Sequence, residues 1–359
     1  MTEAASKTIS FLRFPLILCV VWIHVGMTGP EYEGYCIFGK FCRLAGFLTQ
    51  TAVPLFFLIS GYLFFQNVSE SPAKAYIAKL RRRVYSLLIP YVFWNAVSLL
   101  RYYLEQRYLD GHVSTTIPAV SQFTATDYLR AFWDLSGGAP VCFQFWFIRD
   151  LMVLAVISPV IYELVRHKYL KTVCLTVLIA AKYYETYFPV GLRQDSLLFF
   201  TLGAWLSVNQ TDWVALTQKV RRPILALTFL YAVFYIFLNR HLSPLISYLG
   251  LFLVITAILG STSHGISKGR IRSSRVLEES CFLIYAAHPL LLAPIKYLVQ
   301  HAGFPQNDIT LILEYVGIAG LTVTLLIGLS IVMKQWVPSF YGLVTGGRQT
   351  QLDRSRSNK

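Results

Sequence analysis

Charged residues are scarce in this sequence, and so are the patterns that build metal or redox sites. Only 14% of the 359 residues are charged, whereas soluble domains carry roughly 25%. The six cysteines are scattered, without a Cys-x-x-Cys motif or a ligand-like Cys/His spacing, which excludes a zinc site and a thioredoxin-like motif. Because 55% of the residues are hydrophobic, a disordered chain is excluded and a soluble enzyme is disfavoured.

Two cysteines lie close together in the sequence. Cys36 and Cys42 are expected in one short loop. They either form a disulfide, if that loop faces an oxidising compartment, or stay as unpaired thiols. We favour the unpaired thiols.

Long hydrophobic segments are abundant, and the mean hydropathy is +0.53. A spanning helix needs about 20 apolar residues. The sequence therefore predicts an all-α, polytopic transmembrane bundle of about ten spans over residues 1–340, with a polar cytoplasmic tail over 341–359. The fifth and sixth segments are short for a span. The ten segments are about 9–27, 45–65, 87–104, 141–163, 170–188, 194–208, 223–239, 243–260, 278–300 and 309–337.

The net charge of +14 is distributed unevenly. With ten spans, 21 of the 32 basic residues fall on the loops that share a side with the N-terminus. Nine fall on the opposite side, and Arg13 and Arg149 lie at membrane depth. This asymmetry is the positive-inside pattern and predicts that both termini are cytoplasmic. It argues against a nucleic-acid partner and places an anionic ligand on the cytoplasmic side.

The first segment carries two titratable residues, Arg13 and His24. Eleven residues at about 100° each bring the two side chains to one helix face, about 16 Å apart along the axis. Charges inside a membrane are costly and mark functional sites, so we expect this face to line a cavity. The alternative is that Arg13 reaches the cytoplasmic headgroups and His24 the outer interface.

Other intramembrane polar residues leave alternatives open. Arg149 and Asp150, adjacent in the fourth segment, either fix helix register through partners on neighbouring helices or shape the site. His288, which precedes Pro289, is either a satisfied interhelical histidine or a catalytic one. Ser60, beside Gly61, is interpreted as a packing residue rather than a nucleophile, because the sequence places no base next to it.

A basic run, KAYIAKLRRRVYS, precedes the third segment. It predicts an amphipathic juxtamembrane helix. Arg81, Arg82 and Arg83 then either bind anionic lipid headgroups or form a cationic mouth for a phosphorylated cytosolic ligand.

Several segments in order resemble the acyltransferase-3 family of polytopic membrane acyltransferases. Arg-x10-His in the first helix is the family's pattern, and the resemblance extends over residues 7 to about 295. The matching stretches are SKTISFLRFPLILCVVWIHV, VPLFFLISGYLFF, LRRRVYSLLIPYVFWN, FWFIRDLMVLAVISPVIY, SLLFFTLGAWLSV and SCFLIYAAHPLL.

The resemblance implies transfer of an acyl group, usually acetyl, from cytoplasmic acyl-CoA to a hydroxyl of a carbohydrate or lipid-linked glycan acceptor in the cell envelope. His24 would be the catalytic histidine, as base or acyl carrier, and Arg13 its companion. Acetyl-CoA would be a co-substrate, with no permanently bound cofactor and no metal. The expected location is a bacterial inner (plasma) membrane. Donor- or substrate-binding candidates are Arg81, Arg82, Arg83, Ser60, Trp146, Arg149, Tyr285 and His288.

A membrane transporter or flippase of a small polar or glycolipid substrate is the competing function. Ten spans with intramembrane charges fit such a protein. The absence of a detectable internal repeat and the ordered family motifs argue against it.

Overall fold

The computed structural model describes residues 1–27, 29–66, 72–108, 118–136, 138–167, 169–181, 188–238 and 243–347. Across these ranges the chain is helical and contains no β-strand. The helices are α1 (Glu3–Ile23), α2 (Cys36–Thr49), α3 (Ala52–Phe64), α4 (Pro72–Arg83), α5 (Ile89–Tyr108), α6 (Ala125–Phe132), α7 (Trp146–Arg166), α8 (Leu170–Ala181), α9 (Gln194–Val208), α10 (Trp213–Lys219), α11 (Arg221–Leu238), α12 (Pro244–Ser267), α13 (Arg275–Gln300), α14 (Asp308–Trp336) and α15 (Pro338–Thr345).

Seven helical segments are long and apolar enough to cross a membrane. An eighth exists if α10 and α11, which meet at 68°, count as one span. Both counts refer to the described residues. The bundle is therefore that of an integral membrane protein, but ten separate spans are not confirmed. The seven segments are Glu3–Ile23, Cys36–Phe64, Tyr76–Tyr108, Phe143–Arg166, Leu245–Ser267, Arg275–Gln300 and Asp308–Trp336.

The two weak segments form short helices, α8 with 12 residues and α9 with 15. Helix α9 is largely buried inside the protein and packs closely on α3. A Cβ on Gly61 would lie 2.1 Å from the carbonyl oxygen of Phe200, and one on Gly203 would lie 2.0 Å from that of Leu58. Glycine in both helices thus allows a backbone contact that a side chain would prevent.

The second hydrophobic segment begins earlier than its apolar pattern indicated. Helix α2 starts at Cys36, so Cys36 and Cys42 lie on one helix and not in a loop, and that prediction was wrong. All six cysteines are free thiols, as we favoured for this pair.

The C-terminal region packs further than residue 340. That boundary falls inside α15, where Tyr341 is fully buried and its hydroxyl donates to the carbonyl of Glu279 at 2.8 Å. The indole of Trp94 donates to the carbonyl of Val344 at 2.9 Å. The packed chain therefore continues through Gly347, and the rest of the predicted tail, 348–359, lies outside the described residues.

Side chains cap the starts of α1 and α6. Thr2 accepts a hydrogen bond from the backbone of Ala5 and caps α1. Thr124 and Asp127 form a reciprocal capping box at α6, which satisfies amides that a helix start leaves unpaired. A short helix, α6, thus lies between the third and fourth hydrophobic segments.

Candidate functional site

Two histidines that are 264 positions apart in the sequence are in contact. His24 follows the last residue of α1 and is half-buried, whereas His288 lies inside α13 and is fully buried. Nε2 of His288 is 3.2 Å from Nδ1 of His24, and the ring centroids are 5.0 Å apart. The first and ninth hydrophobic segments thus meet at one polar site.

Each imidazole is also held by its own helix. Nδ1 of His24 donates to the carbonyl of Val20 at 2.8 Å. Nδ1 of His288 donates to the carbonyl of Tyr285 at 2.8 Å and lies 3.1 Å from that of Ile284. Both rings are therefore oriented by backbone acceptors within one helical turn.

A short helical turn, Phe143–Phe145, lies beside the histidine pair. The ring of Phe143 meets His24 edge-on, with centroids 5.0 Å apart. Phe145 stacks on Tyr285 at 5.4 Å with an interplanar angle of 9°, and the hydroxyl of Tyr285 donates to the carbonyl of Gln144 at 2.6 Å. Tyr285, a predicted binding residue, thus positions this turn next to the pair.

Gln144 is a site residue that the sequence reasoning missed. Its Nε2 donates to the carbonyl of Ala286 at 2.9 Å, two residues before His288. Its Oε1 is buried and accepts no hydrogen bond from any described residue, and such a group is costly unless a ligand supplies the donor. The available signal was a lone amide in the apolar run VCFQFWF.

Arg13 lies on α1 about 16 Å from His24 along the helix axis. It is half-buried and makes no hydrogen bond or ion pair with any residue in the described ranges. Its guanidinium is thus available to an anion or a carbonyl oxygen at this depth. The 11-residue spacing places Arg13 and His24 on the same face of α1. A joint role of the two residues in the reaction stays a prediction.

Arg149 and Asp150 lie in a fully buried network at the start of α7. Arg149 Nη1 donates to the carbonyl of Gly138 at 2.5 Å and Nη2 to that of Gly191 at 2.6 Å. Asp150 Oδ2 accepts from the hydroxyl of Ser196 at 2.6 Å and the backbone of Arg193 at 3.1 Å.

We expected Arg149 and Asp150 to find separate partners on neighbouring helices. The partners are largely separate, although the two side chains also contact each other at 3.4 Å. Those of Arg149 are the carbonyls of Gly138, in a loop, and of Gly191, which ends a short 3-10 turn, rather than residues of neighbouring α-helices. The network therefore joins two loops to α7.

Trp146 extends from the first turn of α7 next to this network. The guanidinium of Arg193 lies 3.8 Å from the centre of its ring, a cation–π contact. Nε of Arg193 is buried and makes no hydrogen bond within the described part of the chain. Trp146 is thus half-buried, with the face of its ring covered by the guanidinium of Arg193.

The three arginines at the end of α4 separate into two groups. Arg81 and Arg82 are exposed and line a cavity of about 550 Å³ together with Ile77, Ala78 and Tyr85. Arg83 instead lies 5.7 Å from the ring centre of Phe64. Only Arg81 and Arg82 are therefore free to form the predicted cationic mouth.

The contacts of Lys79 show at which end of the bundle the basic cluster of Lys79, Arg81 and Arg82 lies. Its Nζ donates to the carbonyls of Phe64 and Gln66, beyond the last turn of α3, where a helix dipole favours cations. Phe65 and Gln66 also line a cavity of about 310 Å³ with Met1 and Thr2. The basic cluster therefore lies at the N-terminal end of α1, about 30 Å along its axis from His24.

Ser60 lies in α3 beside the contact with α9. It is half-buried, and its hydroxyl makes no hydrogen bond with any described residue. The neighbouring Gly61 is in contact with Phe200. This position fits the packing interpretation, because no base among the described residues bonds to the hydroxyl.

Comparison with known proteins gives two matches. The model of the acyltransferase-3 family, described as an acyltransferase domain, matches residues 7–331. The succinoglycan biosynthesis protein ExoH of Rhizobium meliloti (strain 1021) is 25% identical over 231 residues. That alignment covers 63% of this chain and 60% of ExoH, so the chain spans less than two thirds of that relative's length. No solved structure matches the chain significantly.

Proposed function

This chain belongs to the acyltransferase-3 family and is a membrane acyltransferase, and we propose that it acylates a hydroxyl of a cell-envelope polysaccharide or its lipid-linked precursor. The acyl group is acetyl, and the donor is cytoplasmic acetyl-CoA. The observation that carries this proposal is the His24–His288 contact within a membrane bundle of that family. The chain resides in the bacterial inner membrane with both termini in the cytoplasm.

A carbohydrate acceptor is supported by the relative ExoH, whose name assigns it to succinoglycan biosynthesis. The ring of Phe143, which is exposed and meets His24 edge-on, suits the apolar face of a sugar. The Oε1 of Gln144, which accepts no hydrogen bond from the described residues, offers a neutral acceptor to a hydroxyl next to this ring.

An acyl-CoA donor is supported by charge. CoA is polyanionic, and the exposed Arg81 and Arg82 line a cavity at the N-terminal end of α1. The positive-inside pattern assigns that end to the cytoplasm. Arg13 lies about half-way along α1 and has no partner among the described residues. It binds the phosphate or carbonyl oxygen of a donor that extends from this mouth toward His24.

The chemistry requires little beyond positioning and a base, because a thioester is already activated. The ring of His24 takes the proton of the acceptor hydroxyl as its oxygen attacks the thioester carbonyl. The carbon–sulfur bond breaks, and the CoA thiolate leaves with the proton that His24 returns. The products are an ester and free CoA.

The decisive experiment measures transfer of radiolabelled acetyl from acetyl-CoA to a membrane glycolipid extract by the purified protein. His24→Ala should abolish transfer. His301→Ala is the matched control, because His301 also follows the end of a helix and bonds through Nδ1 to the carbonyl four residues earlier at 2.8 Å, but is exposed. Full activity of His24→Ala would refute the role of this histidine.

Two other outcomes have separate meanings. Label bound to His24 in the absence of acceptor would replace the general base by an acyl-histidine intermediate. Substrate flux across the membrane without CoA turnover would support a transporter instead.

A further inference from the structure

A proline, Pro289, follows His288 within α13. In an α-helix the N–H of residue 289 would donate to the carbonyl of Tyr285, but Pro289 has no N–H. The ring Nδ1 of His288 takes that free acceptor at 2.8 Å. The same arrangement recurs in α7, where the hydroxyl of Ser158 donates to Ala155, the carbonyl that Pro159 leaves unpaired, at 2.9 Å.

This contact determines which nitrogen of His288 carries the proton. A carbonyl oxygen only accepts, so Nδ1 of His288 carries the hydrogen and its neutral ring has a lone pair on Nε2. That lone pair faces Nδ1 of His24 at 3.2 Å.

Two acceptors therefore meet at Nδ1 of His24. One is Nε2 of His288, and the other is the carbonyl of Val20 at 2.8 Å. That carbonyl is available because the backbone N–H of His24 bonds to Val21 instead. Both acceptors require a proton on Nδ1 of His24, which leaves Nε2 as the basic nitrogen.

We propose that the His288–Pro289 pair is a positioning device that holds His24 in the Nδ1–H form, with Nε2 free to take the acceptor's proton. The device rests on the proposed function of His24 as the base. When Nε2 takes the proton, Nδ1–H of the resulting imidazolium still donates to His288 and Val20. His288 itself touches no reacting atom.

The direct test is nitrogen NMR of the full chain, labelled with ¹⁵N-histidine, in lipid nanodiscs. His24→Ala and His288→Gln assign the two rings by loss of signal. Both rings should show a protonated Nδ1 and an unprotonated Nε2. A protonated Nε2 on His288 in the unaltered protein would overturn the proposal, whatever the activity.

Proline variants test whether Pro289 fixes the tautomer of His288. Pro289→Ala restores an N–H that competes for the carbonyl of Tyr285 and leaves Nδ1 of His288 with only the longer contact to Ile284 at 3.1 Å, so the His288 signal should move part of the way toward a mixture of tautomers. Pro294→Ala, in the same helix but away from either histidine, is the matched control and should leave the spectrum unchanged. An unchanged His288 signal in Pro289→Ala would contradict the role assigned to the proline.

Kinetic measurements test whether His288 supports the activity of His24. His288→Phe removes the acceptor and should lower kcat about ten- to a hundredfold with little change in the KM for acetyl-CoA, because a hydrogen bond to a charged ring is lost. His288→Gln keeps an oxygen acceptor within reach and should retain more activity. Equal losses in both variants would reduce His288 to a packing residue.

These readouts separate the two proposals. Correct tautomers together with an active His24→Ala protein would refute the function of His24 and leave the geometry intact. A wrong tautomer together with an inactive His24→Ala protein would refute only the positioning device.

Discussion

The carbonyl oxygen of Gly191 accepts a hydrogen bond from Nη2 of Arg149 at 2.6 Å. Gly191 has a φ of +77°, and a Cβ there would lie 3.0 Å from the guanidinium. A left-handed glycine thus allows the close approach of a fully buried cation. Through Gly191 and Gly138, Arg149 joins the loops before α7 and α9.

Arg149→Met should therefore destabilise the protein strongly. It leaves Asp150 buried without its cation and frees two loop carbonyls, and the loss of one partner from a buried pair costs about 3–5 kcal/mol. Thermal unfolding in detergent measures the effect.

The control for this variant is Arg166→Met in the last turn of the same helix. Arg166 pairs with Glu163 at the surface, so its loss should cost about 0–1 kcal/mol. Equal effects of the two substitutions would show that burial of Arg149 is not what stabilises the loops.

The contact between α3 and α9 predicts a strong size limit at Gly203. Gly203→Ala places a methyl group 2.0 Å from the backbone oxygen of Leu58, which cannot move aside as a flexible side chain would. Overpacking costs about 1–3 kcal/mol, and folding yield and melting temperature should both fall. At Gly320 in α14, an added Cβ would meet no atom within 4 Å apart from the neighbouring backbone of its own helix. Gly320→Ala should therefore be neutral or stabilising.

Charge reversal at Arg81 and Arg82 tests the proposed donor mouth. The double variant to Glu should raise the KM for acetyl-CoA about tenfold, since each exposed contact contributes roughly 0.5–1 kcal/mol. The KM of the unaltered protein should rise with salt.

Arg130→Glu is the control for the donor mouth, because Arg130 lies on α6, away from the cavity. An unchanged KM in the double variant would indicate that the two arginines bind lipid headgroups instead. Arg83→Glu is a poorer test, because Arg83 lies over the ring of Phe64 and its loss also alters packing.

Substitution of Arg13 tests whether the donor contacts this residue as it extends from the mouth toward His24. Arg13→Ala should lower kcat/KM about tenfold or more, because the donor loses its charged contact, and folding should be retained because the guanidinium has no described partner. Arg13→Lys should recover part of the loss, since an ammonium keeps the charge but not the fork of donors.

Lys7→Ala on the same helix is the control for Arg13. Lys7 is exposed and pairs only with Glu3 among the described residues, so its removal should leave kcat/KM unchanged. Full activity of Arg13→Ala would instead support the alternative that Arg13 reaches the cytoplasmic headgroups.

Local patterns predicted much of the fold. Each of the ten hydrophobic segments contains or overlaps a helix. The basic run before the third segment lies in α4 and the π-helical turn that follows it, Val84–Leu88. Boundaries were less predictable, because α2 extends back to Cys36 and α15 crosses residue 340 through contacts with distant residues. The span count also depended on tertiary structure, because α9 is a 15-residue helix that is buried against α3 inside the protein.

The sequence by itself determined that this chain is an apolar helical membrane protein with a basic end, and its ordered motifs indicated the family that comparison confirmed. Hydropathy, charge and spacing suffice for this because they are properties of neighbouring residues. Only the tertiary structure decided that His288 contacts His24, that Gln144 lies beside them, and that Arg83 differs from Arg81 and Arg82. Those relationships join residues far apart in the chain, and close packing of side chains, which no local pattern encodes, brings them together.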